Sequence, residues 1–290
     1  MLSMNAKNSP LGISYEFFPP KTSEGIDKMR AAQAALSQYQ TQGKPHEFFS
    51  VTYGAGGSTR DNSWAAVQAL ISAGSHAAPH LSCIGASRAS VREQLAQYKA
   101  AGITRLIALR GDLPSGYGMG GEFKYAADLV AFVRAETADW FEIYVAAYPE
   151  YHPQAKTAKA DLDAFVAKMQ AGATAAITQY FFNSDAYFHF IDAVQARGVD
   201  IVKTPIIPGI MPITQFGQLA RFSDMCGAEI PRWMRMKFEG MYDDTASIKA
   251  FGHEVMTDLC QQLVGVGVPS LHFYTMNRAQ PTVAILENLS

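Results

Sequence analysis

Short apolar runs rich in β-branched and aromatic residues alternate, along the whole chain, with longer stretches whose apolar side chains recur every three or four positions. The short runs predict strands near Ile13–Phe18, Phe48–Tyr53, Ala77–Cys83 and Thr104–Arg110, then near Glu142–Tyr148, Ala175–Phe181, Val202–Ile210 and Ser270–Met276. The intervening stretches read as helices. Leu162, Phe165, Val166 and Met169 share one helical face, and Gly172 stops that helix. A longer helical insertion over Pro231–Gly265 precedes the last strand. Strand–helix alternation implies parallel strands joined by crossover helices. Eight such units in 290 residues fit a closed (β/α)8 barrel of the TIM type. A doubly wound open sheet is the competitor, and the count of eight favours the barrel. No Gly/Ser-rich linker, compositional break or clear repeat divides the chain. One α/β domain over 1–290 is expected, with residues 1–12 as a flexible lead.

Composition narrows the class of function. Hydrophobic residues make up 48% of the chain and charged ones only 17%, which suits a densely packed enzyme core. Lysine and arginine total 24 against 26 acidic residues, with no basic run, so nucleic acid is not an expected partner. The first dozen residues lack the charged and apolar parts of a secretory signal, and no stretch has the ~20 apolar residues that span a bilayer. Cys83, Cys226 and Cys260 are scattered and show no CxxC spacing, so neither a disulfide nor zinc is expected. No membrane association and a cytoplasmic location follow as expectations.

Barrel enzymes keep their chemistry at the carboxyl ends of the strands and in the loops that follow. The first strand runs Ile13-Ser14-Tyr15-Glu16-Phe17-Phe18-Pro19-Pro20. Alternation puts Ser14 and Glu16 on one face, toward the barrel interior, and Ile13, Tyr15 and Phe17 toward the helices. A carboxylate among aromatics is desolvated, which raises its pKa and suits it to general-acid work. A buried glutamate paired with an arginine is the plainer reading.

The fourth strand ends in Arg110-Gly111-Asp112, which puts opposite charges at the mouth; a structural ion pair with a glycine turn accounts for it equally well. His80, Tyr148 and Gln179 also fall at strand ends, where single polar residues are ordinarily packing residues. Their force comes from clustering at one end of one barrel. None of the seven histidines forms HxH or HExxH, so a metal site is not expected. The glycine-rich loops at 54–57 and 116–121 match neither GxGxxG nor GxxxxGK[ST], and read as mobile loops over a site. Asp161 and Lys168, seven apart, lie on nearly the same side of a helix. Gln218 and Phe222, four apart, share another face.

These segments resemble the bacterial methylenetetrahydrofolate reductase family. The matching pieces are Tyr15-Glu16-Phe17-Phe18-Pro19-Pro20-Lys21-Thr22, Ser50-Val51-Thr52-Tyr53-Gly54 and Ala78-Pro79-His80-Leu81. Ala108-Leu109-Arg110-Gly111-Asp112-Leu113-Pro114, Ala146-Ala147-Tyr148-Pro149-Glu150 and Ile177-Thr178-Gln179-Tyr180-Phe181-Phe182 continue the series. Ile207-Pro208-Gly209-Ile210-Met211-Pro212 and His272-Phe273-Tyr274-Thr275-Met276-Asn277-Arg278-Ala279 close it. Eight such pieces in family order cover nearly the whole chain.

The resemblance implies a barrel that holds FAD noncovalently and reduces 5,10-methylenetetrahydrofolate to 5-methyltetrahydrofolate with NADH or NADPH. It implies a ping-pong cycle in which folate replaces the nicotinamide dinucleotide, and a product that feeds methionine synthesis. Glu16 matches the family's general acid. Asp112 matches a carboxylate that stabilises the cationic iminium and lies near the flavin. Thr52, His80, Arg110, Gly111, Asp112, Tyr125, Ala126, Tyr148, His152, Asp161 and Lys168 match FAD contacts, with Arg110 and Lys168 placed to neutralise the pyrophosphate. Gln179, Gln218 and Arg278 match substrate contacts, and Phe222 matches a ring that stacks on nicotinamide or folate. The family's usual state implies a homo-oligomer. Ala164 and Ala167 depart from relatives that carry polar or basic residues toward the FAD phosphates, and the loop Ser115–Lys124 is richer in glycine. The regulatory domain of eukaryotic relatives is not expected. A flavin-free TIM-barrel lyase or aldolase, and a catalytically inactive binding barrel, are the competing readings.

Overall fold

The computed structural model describes residues 10–39, 46–53, 58–111 and 120–289. Strands β1 (Gly12–Phe17), β2 (Phe48–Val51), β3 (Ala77–Ser82), β4 (Arg105–Leu109), β5 (Glu142–Ala147) and β6 (Ala175–Thr178) follow one another around a parallel sheet. The short segments β7 (Ile206–Ile207) and β8 (Gly209–Ile210) are halves of one strand broken at Pro208, and β9 (Ser270–Tyr274) is last. β7 pairs with β6 while β8 pairs with β9, so the broken strand closes the ring and makes eight strands in all. Closure excludes the open doubly wound sheet. Proline has no N–H for the ladder, but the Pro208 carbonyl still accepts from His272 N at 3.0 Å. At Gly209 any Cβ would run into the Thr178 carbonyl and lie 2.6 Å from the Tyr274 ring, so this corner requires glycine.

The helices wrap the outside: α1 (Ser23–Ser37), α2 (Ser58–Ser72), α3 (Arg88–Ala100), α4 (Ala126–Thr137), α5 (Ala158–Gln170), α6 (Ser184–Gln195) and α7 (Phe216–Cys226). Caps explain several boundaries. Thr22 Oγ1 accepts from Gly25 N to start α1, and Gly172, at φ +110°, ends the α5 turn as its sequence position suggests. The insertion before β9 is two helices rather than one, α8 (Arg232–Glu239) and α9 (Thr245–Gly265), parted where the Asp244 carboxylate caps α9; α10 (Gln280–Glu287) completes the ring.

Residues 202–204 are a correction to the expected seventh strand. Asp200 Oδ1 accepts from Val202 N and Lys203 N, and Thr204 bonds back to the Asp200 carbonyl, so a capped turn replaces extended chain. The strand begins only at Ile206. At the other end, Gly12 already belongs to β1 and Leu11 is buried, while residues 1–9 lie outside the described residues.

The core has two layers. Ile13, Tyr15, Phe17, Phe49, Leu106 and Phe273 face outward into the helices. Phe48, Ala78, Ile107, Tyr144, Ala175, Ile177 and Ile207 fill the barrel from inside. The period-two alternation of each strand separates them. The apolar plug stops short of the carboxyl ends, where polar side chains take over.

Candidate active site

Glu16 points into the barrel near the end of β1, directly opposite Ser50 of β2 and Tyr274 of β9 in register. Its Oε2 lies 3.2 Å from His80 Nε2 of β3 and 3.8 Å from His272 Nε2 of β9. Ser14, two residues earlier on the same face, is 2.7 Å from His272 Nδ1. All four groups are buried. Ser50 Oγ, His80 Nε2 and His272 Nε2 are buried without aligned hydrogen-bond partners, so this throat is lined by polar atoms with unused bonding capacity.

The electrostatics correct the sequence expectation. Burial pushes the Glu16 carboxyl up, but the imidazoles of His272 and His80 outweigh it and hold the group at about 2, so Glu16 is ionised here. Burial pushes the His272 imidazole down, against the pull of Glu16.

A second cluster lies across the ends of β4 and β5. Arg110 follows β4, and its guanidinium donates to Gln154 Oε1. Tyr148 follows β5 and meets the His152 ring edge-on at 4.6 Å, while His152 N donates to Asp161 Oδ2 on α5 at 3.0 Å. Lys168, two turns along α5, donates to the Ala146 carbonyl. Burial lowers the Lys168 pKa to about 8; Asp161 opposes that and Arg110 adds to it. Arg110 and Lys168 lie near enough for the Arg110 charge to act on the amine, and two such cations are a donor set that fits a pyrophosphate. Gly111 has φ +88°, and a Cβ there would overlap Ser82 Oγ and sit 2.8 Å from Ile84 Cγ2. Glycine is therefore required here by the backbone angle and by the neighbouring Ser82 and Ile84 side chains.

The remaining positions ring the same mouth. Thr52 follows β2, its amide donating to the Phe17 carbonyl and its own carbonyl accepting from Ser63 Oγ. Tyr125 and Ala126 open α4, where Asp128 accepts from Tyr125 N, and Tyr125 is exposed. Gln179 follows β6, with its amide on the Ala147 carbonyl, and Gln218 and Phe222 sit half-buried on α7. Arg278 is exposed after β9. Just before it, Met276 and Asn277 adopt left-handed backbone. Asn277 brackets Phe18 through both backbone groups, at 2.8 and 2.9 Å, and Thr275 Oγ1 donates to the Glu16 carbonyl at 2.7 Å. That clamp fixes the end of β1. Asp112 and the glycine-rich stretches 54–57 and 115–119 lie outside the described residues.

The structure thus brings Arg110, Tyr148, His152, Asp161 and Lys168 into one network and Glu16 and His80 into another. Sequence reasoning missed His272 and Gln154. The first had a signal: alternation in β9 puts His272 on the inward face with Ser270 and Tyr274, by the rule that placed Glu16. Gln154 sits in a loop without periodicity and had none. Among the described residues no group of three or more His, Cys, Asp or Glu is placed to hold a metal ion, and no helix is long and apolar enough to cross a membrane.

The family model for methylenetetrahydrofolate reductase matches residues 2–290. A 5,10-methylenetetrahydrofolate reductase of Salmonella typhimurium is 43% identical over 280 residues, covering 96% of this chain and 90% of the relative. The enzyme so named from Escherichia coli is 42% identical with the same coverage. A rice protein named as a probable methylenetetrahydrofolate reductase (NADH) is 33% identical over 96% of this chain and 48% of its own length. Among solved structures, a protein from Clostridium thermocellum described as binding two copies of 5-methyl-5,6,7,8-tetrahydrofolic acid superposes with TM-score 0.65. It is 15% identical and covers 100% of this chain and 98% of its own, a likeness of fold.

Proposed function

The chain belongs to the methylenetetrahydrofolate reductase family, and from that premise we propose that it reduces 5,10-methylenetetrahydrofolate to 5-methyltetrahydrofolate with FAD and NADH or NADPH. The observation that carries this reading is the pairing of a buried, imidazole-flanked carboxylate with a cationic cradle at one barrel mouth. When bound, FAD would pass a hydride from the nicotinamide to the folate methylene carbon, the two substrates taking turns.

The chain's own residues have separable tasks. Arg110 and Lys168 neutralise the cofactor's pyrophosphate, Asp161 and Gln154 hold the loop and guanidinium that present them, and Gly111 lets the backbone come close. Thr52, Tyr148, His152, Tyr125 and Ala126 complete the cradle. Ala164 and Ala167 add no charge to it, so Lys168 carries that load on α5.

Opening the folate ring requires a proton on its leaving nitrogen, and Glu16 is the group placed to deliver it. Its carboxyl is ionised in the substrate-free structure, so it must take up a proton before this step. Excluding water with substrates favours the neutral carboxyl, because a desolvated charge is costly. Asp112 is assigned the electrostatic stabilisation of the cationic iminium. Gln179, Gln218 and Arg278 orient the folate, and the Phe222 ring stacks on it. A net charge of −2 without a basic run supports small-molecule substrates over nucleic acid. The family resemblance supports a cytoplasmic homo-oligomer.

The test is the visible spectrum of the purified protein with FAD, taken before and after anaerobic NADH and again after methylenetetrahydrofolate. Bleaching by NADH and recovery on adding folate are expected. Bound flavin that folate fails to reoxidise would mean a different acceptor, and a protein that binds no flavin would bring the lyase reading forward.

A further inference from the structure

Residues 148–154, between β5 and α5, make contacts on two sides. On one side lie the Tyr148–His152 ring pair, the His152–Asp161 bond and the Gln154–Arg110 bond, all within the cationic cradle. On the other, the segment packs on the C-terminal turn of α7. A Cβ at Gly227, the left-handed residue that ends α7, would lie 3.4 Å from both the Tyr151 carbonyl and Pro153 Cδ. Beside that contact, Glu229 N donates to Glu150 Oε2 at 2.8 Å.

Glu150 is an odd residue to find there. Its carboxyl is half-buried with the Glu229 carboxylate close by; burial chiefly pushes its pKa to about 6, the Glu229 N–H opposing that and the Glu229 charge adding to it. Desolvating a carboxylate is costly, and the Glu229 N–H offsets only part of that cost. What the bond holds is the amide of Glu229, three residues past the end of α7. The helix has a second polar tie, in which Tyr180 at the end of β6 meets Ser223 Oγ at 3.2 Å and Cys226 Sγ at 3.3 Å. Between the two ties and the mouth lies the stretch carrying Gln218 and Phe222, with Phe222 one turn before Cys226.

We infer that Glu150 is a positioning residue that ties the cofactor-side segment 148–154 to the end of α7, so that filling the Arg110–Lys168 cradle sets the placement of Gln218 and Phe222 for the incoming substrate. The inference rests on the flavin reading above. An ordered cradle fixes His152 and Gln154, the intervening chain holds Glu150, and Glu150 restrains the Glu229 amide and the helix behind it. Coupling of this kind is local ordering shared between two neighbouring subsites.

The experiment is amide hydrogen exchange of the full chain, with and without FAD, read over 218–230. In the natural protein FAD slows exchange there by about tenfold, the scale of one hydrogen bond to a charged group. Glu150→Gln keeps an acceptor oxygen and retains most of that protection. Glu150→Ala loses it, and so does Glu150→Asp, which keeps the charge but draws the carboxylate back by one methylene. Both losing variants still bind FAD by its spectrum, and their KM for NADH and for folate rises about tenfold with kcat within about twofold. Protection by FAD that survives in Glu150→Ala and Glu150→Asp overturns the inference while leaving the flavin reading intact. Failure of the natural protein to perturb the FAD spectrum overturns both, and is seen before any variant is compared.

Discussion

His80 Nε2 on β3 stands 3.2 Å from Glu16 Oε2 on β1, reaching across the intervening β2, and His272 closes in from β9 on the far side at 3.8 Å. Burial is the largest single influence on Glu16 and acts to raise its pKa, so the low value of about 2 depends on the two imidazoles. Taking one away should reverse the direction. In the cofactor-free protein at pH 5–6, the infrared carbonyl stretch of a protonated carboxyl is expected to be absent for Glu16 in the natural chain and to appear in His272→Asn. It should vanish again when Glu16→Gln is added. A spectrum unchanged by His272→Asn would mean that the imidazoles do not set this charge.

The two proposed half-reactions should separate the roles of the two clusters. Glu16→Gln removes the proposed proton donor but leaves Arg110, Lys168 and Gly111 in place. Stopped-flow measurements should show flavin reduction by NADH within about twofold of normal, and reoxidation by methylenetetrahydrofolate slowed by about 100-fold to 10,000-fold, the usual worth of a general acid. Equal slowing of both halves would assign Glu16 to cofactor placement instead.

The first strand was readable because its signal is local. Ser14 and Glu16 alternate with Ile13, Tyr15 and Phe17, and two prolines end the run. The direction of the Glu16 shift was not readable, since it depends on His272, which meets β1 only after the barrel closes. The same limit hid Gln154, whose partner Arg110 lies on another loop. The seventh strand was placed too early because Ile201 and Val202 have strand-forming side chains, yet Asp200 caps the turn through its carboxylate and leaves Val202 exposed. β-branched residues at a turn look like a strand until the capping residue is recognised.

On the proposed reading, Lys168 should make flavin binding sensitive to pH. A lysine whose folded pKa, about 8, lies below its ordinary 10.5 binds fewer protons in the folded state, so it opposes folding below about 8, and that penalty fades as pH rises toward 10.5. A pyrophosphate beside the amine works the other way, favouring the charged form. FAD binding near pH 8.5 should therefore take up a proton, seen as a binding enthalpy that varies with the buffer's ionisation enthalpy, and affinity should fall as pH rises past about 8. Lys168→Met should bind FAD about tenfold more weakly at pH 7 and abolish the proton uptake. Buffer-independent enthalpy in the natural protein would remove Lys168 from the pyrophosphate.

Gly111 tests whether the cradle and the fold share one backbone position. Its φ of +88° carries a penalty for any side chain, and a Cβ would also overlap Ser82 Oγ, which donates to the Arg110 carbonyl at 3.0 Å. Gly111→Ala should cost about 3 kcal/mol, a fall of about 5 °C in Tm for a chain of this size, with FAD affinity reduced because Arg110 is displaced with its neighbour. Adding Ser82→Gly removes the nearest obstacle but not the backbone strain or the Ile84 contact, so it should restore only part of the Tm. Recovery of Tm without recovery of FAD affinity would show that the ligand reads the glycine directly, through the close approach of its backbone. Recovery of both together would mean that Gly111 serves the cradle only by holding Arg110.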